Sequence, residues 1–71
     1  MTIHQVLGRN VRQLRELKHW SQDLLSENSD LHRTYISGVE RGVRNPTLSI
    51  IERLAQALEV SPAQLLKEEA E

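Results

Sequence analysis

Ser21–Pro46 reads SQDLLSENSDLHRTYISGVERGVRNP, and this stretch decides the fold. Ser21 has a hydroxyl able to take up a free backbone N–H, so it predicts a helix N-cap, with the helix running from about Gln22 to Asn28 and Leu25 inward. Asn28, Ser29 and Asp30 predict a tight turn, because Asn and Asp tolerate left-handed backbone. A second helix follows over roughly His32–Arg41. Leu31, Ile36 and Val39 give it a buried face, while His32, Arg33, Thr34 and Tyr35 open it with polar character. Gly42 stops it. Two short helices joined by a turn, the second presenting a polar N-terminal end, make a shape that fits the DNA major groove.

Outward from this unit the chain reads as helix throughout. Leu7, Val11 and Leu14, with Ile3 one turn earlier, predict a first helix over about Thr2–Lys18. Val43–Pro46 is a loop. Thr47 caps a fourth helix with the stripe Leu48, Ile51, Leu54, Ala55 and Leu58. Ser61-Pro62 starts a fifth, over about 62–69, by the cap-then-proline rule. The expected fold is therefore all-α, five compact helices in one domain over residues 1–71, with the two-helix motif at about 21–42.

Net charge is −1, from nine Lys/Arg and ten Asp/Glu. Its distribution matters more than its sum. Residues 1–45 carry +2 and residues 46–71 carry −3, an asymmetry that would orient the molecule on a polyanion. With no cysteine and no ligand spacing among His4, His19 and His32, no disulfide and no metal site is expected. No apolar run approaches a membrane span and the N-terminus has no signal-peptide pattern. There is no nucleophile–base set and no Gly-rich phosphate loop, so no enzyme, no cofactor and no small-molecule ligand is expected.

Leu7-Gly8, Val11, Leu14-Arg15, Trp20-Ser21-Gln22, Leu25, Tyr35-Ile36-Ser37, Glu40-Arg41-Gly42, Asn45-Pro46 and Leu54-Ala55-x-x-Leu58-x-Val60-Ser61 resemble the lambda-repressor-like (Cro/Xre-type) helix-turn-helix domains. The match covers about residues 3–67. Arg33–Arg41, with Leu58–Ser61, is similar in particular to restriction–modification controller proteins. The resemblance has four departures. His19 and Asp30 stand where the family often has Gly, Ser26 where it has Ala, and Leu24 where it usually has a charged residue.

The resemblance implies roles. Arg33, Thr34 and Ser37 would reach base edges, with Arg33 placed for a bidentate contact to guanine. Gln22 would contact phosphate or brace a neighbour. Tyr35, Arg41, Arg44 and Asn45 would hold the DNA backbone. For Tyr35, partial burial against the preceding helix is an equal alternative. For Arg44 the alternative is a merely solvated loop. Gly38, with no side chain to read bases, would permit a close approach. Arg15 and Glu40 would form a structural ion pair. Ile50, Leu65 and Leu66 are expected at a dimer interface to which the fifth helix contributes, although Leu65 reads better as core.

The implied protein is a cytoplasmic, bacterial or phage-encoded, nucleoid-associated regulator of transcription. It would bind a palindromic operator in double-stranded DNA as a homodimer, with contact to RNA polymerase left open. A phage- or plasmid-type repressor is the alternative. So is an antitoxin-like protein-binding module, which the apolar Leu24 and Ile50 would serve.

Overall fold

The computed structural model describes residues 1–68. Five helices follow one another: α1 (Ile3–Leu17), α2 (Gln22–Ser29), α3 (Arg33–Glu40), α4 (Leu48–Leu58) and α5 (Pro62–Leu65). The all-α reading holds, with α2 and α3 as the helix-turn-helix.

Each helix begins where a polar side chain can satisfy an orphan N–H, a short one in every case but α3. Thr2 does so for α1 and forms a capping box with Gln5, whose side chain returns a bond to the Thr2 N–H. The Thr-x-x-Gln spacing is the sequence signature of that box. Ser21 Oγ accepts from the Leu24 N–H at 3.0 Å, Thr47 Oγ1 from Ile50 at 3.3 Å and Ser61 Oγ from Gln64 at 3.2 Å. The cap of α3 is His32, whose Nδ1 accepts from the Thr34 N–H at 3.1 Å. An acceptor at Nδ1 requires the neutral imidazole with its proton on Nε2.

Helix ends explain two of the departures. His19 (φ 59°) and Asp30 (φ 58°) both adopt left-handed backbone, the conformation for which Gly is the unstrained residue. Ser26, the third departure, donates through Oγ to the Leu31 carbonyl and closes the turn between α2 and α3. Asn28 and Ser29 belong to α2 rather than to the turn. Ser29 is buried and donates to the Leu25 carbonyl at 2.7 Å.

The core joins Val6, Leu7 and Val11 of α1, Leu25, Ile36, Val39, the α4 stripe Ile51, Leu54, Ala55 and Leu58, and Leu65 of α5. Two expected core residues lie outside it: Ile3 is 54% exposed and Leu48 is 82% exposed. Both open a helix and overhang the packed body. The inward face of α1 is turned toward Val6 and Asn10 because α5 lies across it. Asn10 is buried, and its amide donates to the carbonyls of Leu65 (2.8 Å), Lys67 (2.9 Å) and Gln64 (3.4 Å). That amide satisfies the C-terminal carbonyls of a helix too short to be stable alone.

The fifth helix differs from expectation in two ways. It ends at Leu65, not near residue 69, because Asn10 occupies the carbonyls that a continuing helix would need. Residue 69 of the expected range lies outside the described residues. Leu65 is fully buried within its own chain, so the expectation that it forms a dimer interface is corrected.

Candidate nucleic-acid interface

The two motif helices are locked by one buried carboxylate. Glu40, the last residue of α3, accepts at Oε2 from Arg15 Nε (2.7 Å) and at Oε1 from Arg15 Nη2 (3.0 Å) and Gln22 Nε2 (3.0 Å). Arg15 Nη1 donates to the Trp20 carbonyl at 2.8 Å. The Arg15 and Glu40 side chains are only 12% and 5% exposed. Hydrogen bonding to Glu40 raises the Arg15 guanidinium above its ordinary range, against the opposing effect of burial. Three helices thus share one charge-assisted network, which fixes the start of α2 relative to the end of α3. Gln22 is a brace here, through its amide to Glu40.

Gly8 permits this closeness. A Cβ there would lie 2.3 Å from the Val39 carbonyl oxygen and 2.7 Å from that of Glu40. Helix α1 therefore crosses α3 backbone against backbone.

On α3, Arg33 and Thr34 are exposed and Ser37 is half-buried. Arg33 does not hang free. Its Nε lies 3.0 Å from Asp23 Oδ1 on the first turn of α2. Nη1 and Nη2 of an arginine are a pair that can meet guanine O6 and N7 end-on. The pair is largely exposed, so it orients the guanidinium more than it stabilises the fold.

Tyr35 is half-buried and packs on the core. The Arg44 guanidinium lies over its ring, 5.5 Å from the centroid. Gly38 makes room for this. A Cβ there would come within 2.7 Å of Arg44 Cγ and 2.9 Å of Arg44 Nε. The close approach expected at Gly38 is therefore to the chain's own Arg44, which is stacked on α3 rather than freely solvated. Asn45 is exposed, and its Oδ1 lies 3.1 Å from His4 Nε2. Arg41 is exposed at the end of α3. It lines a groove of about 420 Å³ together with Arg9, Arg12 and Glu16 of α1 and with Glu40.

Gln22, Arg33, Thr34, Arg41, Arg44 and Asn45 are thus carried by the N-terminal ends of α2 and α3 and by the segment that follows α3. The positioning partners Asp23 and His4 have no local sequence signal, since nothing in their neighbourhood marks the residue each one meets.

A helix-turn-helix family model matches residues 11–65. The chain belongs to that family. Control protein C.SmaI of Serratia marcescens is 50% identical over 66 residues, covering 93% of this chain and 79% of that protein. Among solved structures, the hypothetical transcription factor NHTF from Neisseria superposes with a TM-score of 0.90 at 45% identity, covering 93% of this chain and 76% of that one. The restriction–modification controller protein C.AhdI from Aeromonas hydrophila superposes with a TM-score of 0.84 at 44% identity, covering 87% and 94%. The helix-turn-helix chain thus closely resembles restriction–modification controller proteins in both sequence and structure. It is a DNA-binding regulator. Among the described residues no helix is long and apolar enough to cross a membrane.

Proposed function

We propose that this helix-turn-helix protein is a controller of a restriction–modification system that binds a palindromic operator as a homodimer and regulates transcription by occupying it. The observation that carries the reading is the orientation of Arg33. Its guanidinium stands exposed at the first turn of α3, with Nε 3.0 Å from Asp23 Oδ1. Thr34 and Ser37 complete the base-reading set. Gln22, Tyr35, Arg41, Arg44 and Asn45 hold the phosphates on either side of the groove.

The dimer face is assigned to the groove of about 330 Å³ between α4 and α5, lined by Leu48, Ile51, Pro62, Ala63 and Leu66 among others. Leu48 is the most exposed large apolar side chain of the described residues, and an apolar patch on a small protein marks an interface. Ile50 and Leu66 are partly buried against the core and contribute their outer surface. Two-fold pairing through this face would set the two α3 helices on half-sites about 34 Å apart. Contact with RNA polymerase would follow from operators placed beside a promoter.

Footprinting upstream of the chain's own gene, followed by a salt titration on the protected duplex, tests the reading. Lys/Arg–phosphate contacts make log affinity fall linearly and steeply with log salt. A nearly salt-independent association, or no footprint, would favour the alternative of an apolar protein-binding module. The partly exposed Leu24 is the residue of the motif that DNA binding leaves unexplained.

A further inference from the structure

The segment after α3 that carries Arg44 and Asn45 is seated on the first turn of α1, about forty residues earlier in the chain. Two separate contacts make the seat. At one end, Gly42 turns the backbone with φ 76° and lies flush on Gln5. A Cβ at Gly42 would come within 3.2 Å of Gln5 Cγ and 3.4 Å of Gln5 Cα. At the other end, His4 Nε2 meets Asn45 Oδ1 at 3.1 Å. The seat is stiff because the Thr2–Gln5 capping box closes the α1 first turn on itself. The loop is stiffened from its own side as well. The Val43 N–H donates to the Gly38 carbonyl at 3.0 Å, and Pro46 restrains the backbone of Asn45 to extended conformations.

From this we infer that His4 is a positioning residue for DNA binding: it sets the side-chain amide of Asn45 so that its N–H donors face outward to a phosphate. The inference rests on the proposed DNA-binding reading. An amide oxygen can only accept, so the His4–Asn45 contact requires a proton on His4 Nε2. With Oδ1 occupied, both Nδ2 hydrogens are directed away from His4. The reverse pairing, with the amide donating to a bare Nε2, would turn Oδ1 outward, and an oxygen there repels phosphate. His4 fixes which end of the amide the DNA meets. Arg44 and Arg41 flank the position and supply the attraction that brings the phosphate in. Asn45 supplies a directed bond.

The test uses the full chain and two probes: a duplex selected from a random pool by the wild-type protein, and a scrambled duplex of equal composition. His4→Ala and Asn45→Ala should each weaken binding by about 3- to 10-fold on both probes, the loss of one ordinary hydrogen bond at an exposed position. The double variant should bind no more weakly than the worse single one. His4→Gln, which restores an N–H donor, should return affinity to within about twofold of wild type, a rescue that a merely structural role would not give. The salt slope should be unchanged throughout, because no cation–phosphate contact is lost. The inference is overturned if the two losses multiply, if His4→Ala is neutral or tightens binding, or if Asn45→Ala is silent on a wild type that binds both probes. It is also overturned if the loss at His4 tracks a fall in melting temperature that His4→Gln does not reverse. A wild type that binds neither probe refutes the DNA-binding reading itself, and this inference falls with it.

Discussion

Glu40→Ala should be strongly destabilising. The carboxylate accepts three hydrogen bonds, at 2.7, 3.0 and 3.0 Å, from Arg15 and Gln22. Its removal strands the guanidinium of Arg15, whose side chain is 12% exposed in the intact network, with the Trp20 carbonyl as its remaining acceptor. Breaking a buried ion pair by removing one partner costs about 3–5 kcal/mol, mostly because the surviving charge stays desolvated. At about 0.05–0.15 kcal/mol per residue, a chain this size has roughly 4–11 kcal/mol in total. The variant should therefore melt at least about 12 °C below wild type, at roughly 4 °C or more per kcal/mol. Melting by far-UV circular dichroism reads the shift. The control replaces both partners with apolar residues, Arg15→Met with Glu40→Leu, which removes the stranded charge. It should be markedly more stable than Glu40→Ala. A Glu40→Ala variant melting within about 4 °C of wild type would refute the reasoning. So would a double variant no better than the single one.

Four further outcomes follow from the packing and the site. Gly8→Ala should lower the urea midpoint by the equivalent of about 1–3 kcal/mol, because the new Cβ meets the Val39 and Glu40 carbonyls. If those helices were less close, Ala would instead stabilise α1 by about 1 kcal/mol, so the sign of the shift decides. His19→Gly should raise stability by about 0.5–1 kcal/mol, as relief of left-handed strain outweighs the greater freedom of the unfolded chain; a lower melting temperature would contradict it. Arg33→Ala should cost about 1–3 kcal/mol on the selected duplex and relax preference at one base position, whereas equal loss on scrambled DNA would exclude base reading. Leu66→Glu should shift the sedimentation mass toward monomer and weaken operator binding with it, and a wild type that is already monomeric at micromolar concentration would count against the α4–α5 face.

Local signals carried far in this chain. Ser21, Thr47 and Ser61-Pro62 mark helix starts within a few residues of the groups they satisfy, so caps and helix order are legible from the sequence. His32 is not a preferred cap, and its role emerges only because α3 begins one residue later. The Arg15–Glu40 pair was legible through resemblance, not through spacing, since 25 residues separate its members. Gly8 is another limit. A glycine inside a helix can be a weakness or a close crossing, and the local sequence does not distinguish the two.

The sequence alone determined that the chain is helical, where α2, α4 and α5 begin, and that a polar-fronted second motif helix carries Arg33. Those features depend on side chains acting on backbone a turn away and on the 3.6-residue period. Tertiary structure decided what meets what: Asp23 against Arg33, Arg44 stacked between Gly38 and Tyr35, His4 against Asn45, and Asn10 under the end of α5. It also decided that Leu65 is core while Leu66 keeps an outer surface. An amphipathic period fixes which face of a helix is apolar, but the crossing of neighbouring helices fixes what covers it. Contacts spanning 41 residues between His4 and Asn45, or 55 between Asn10 and Leu65, exist only once those crossings are set.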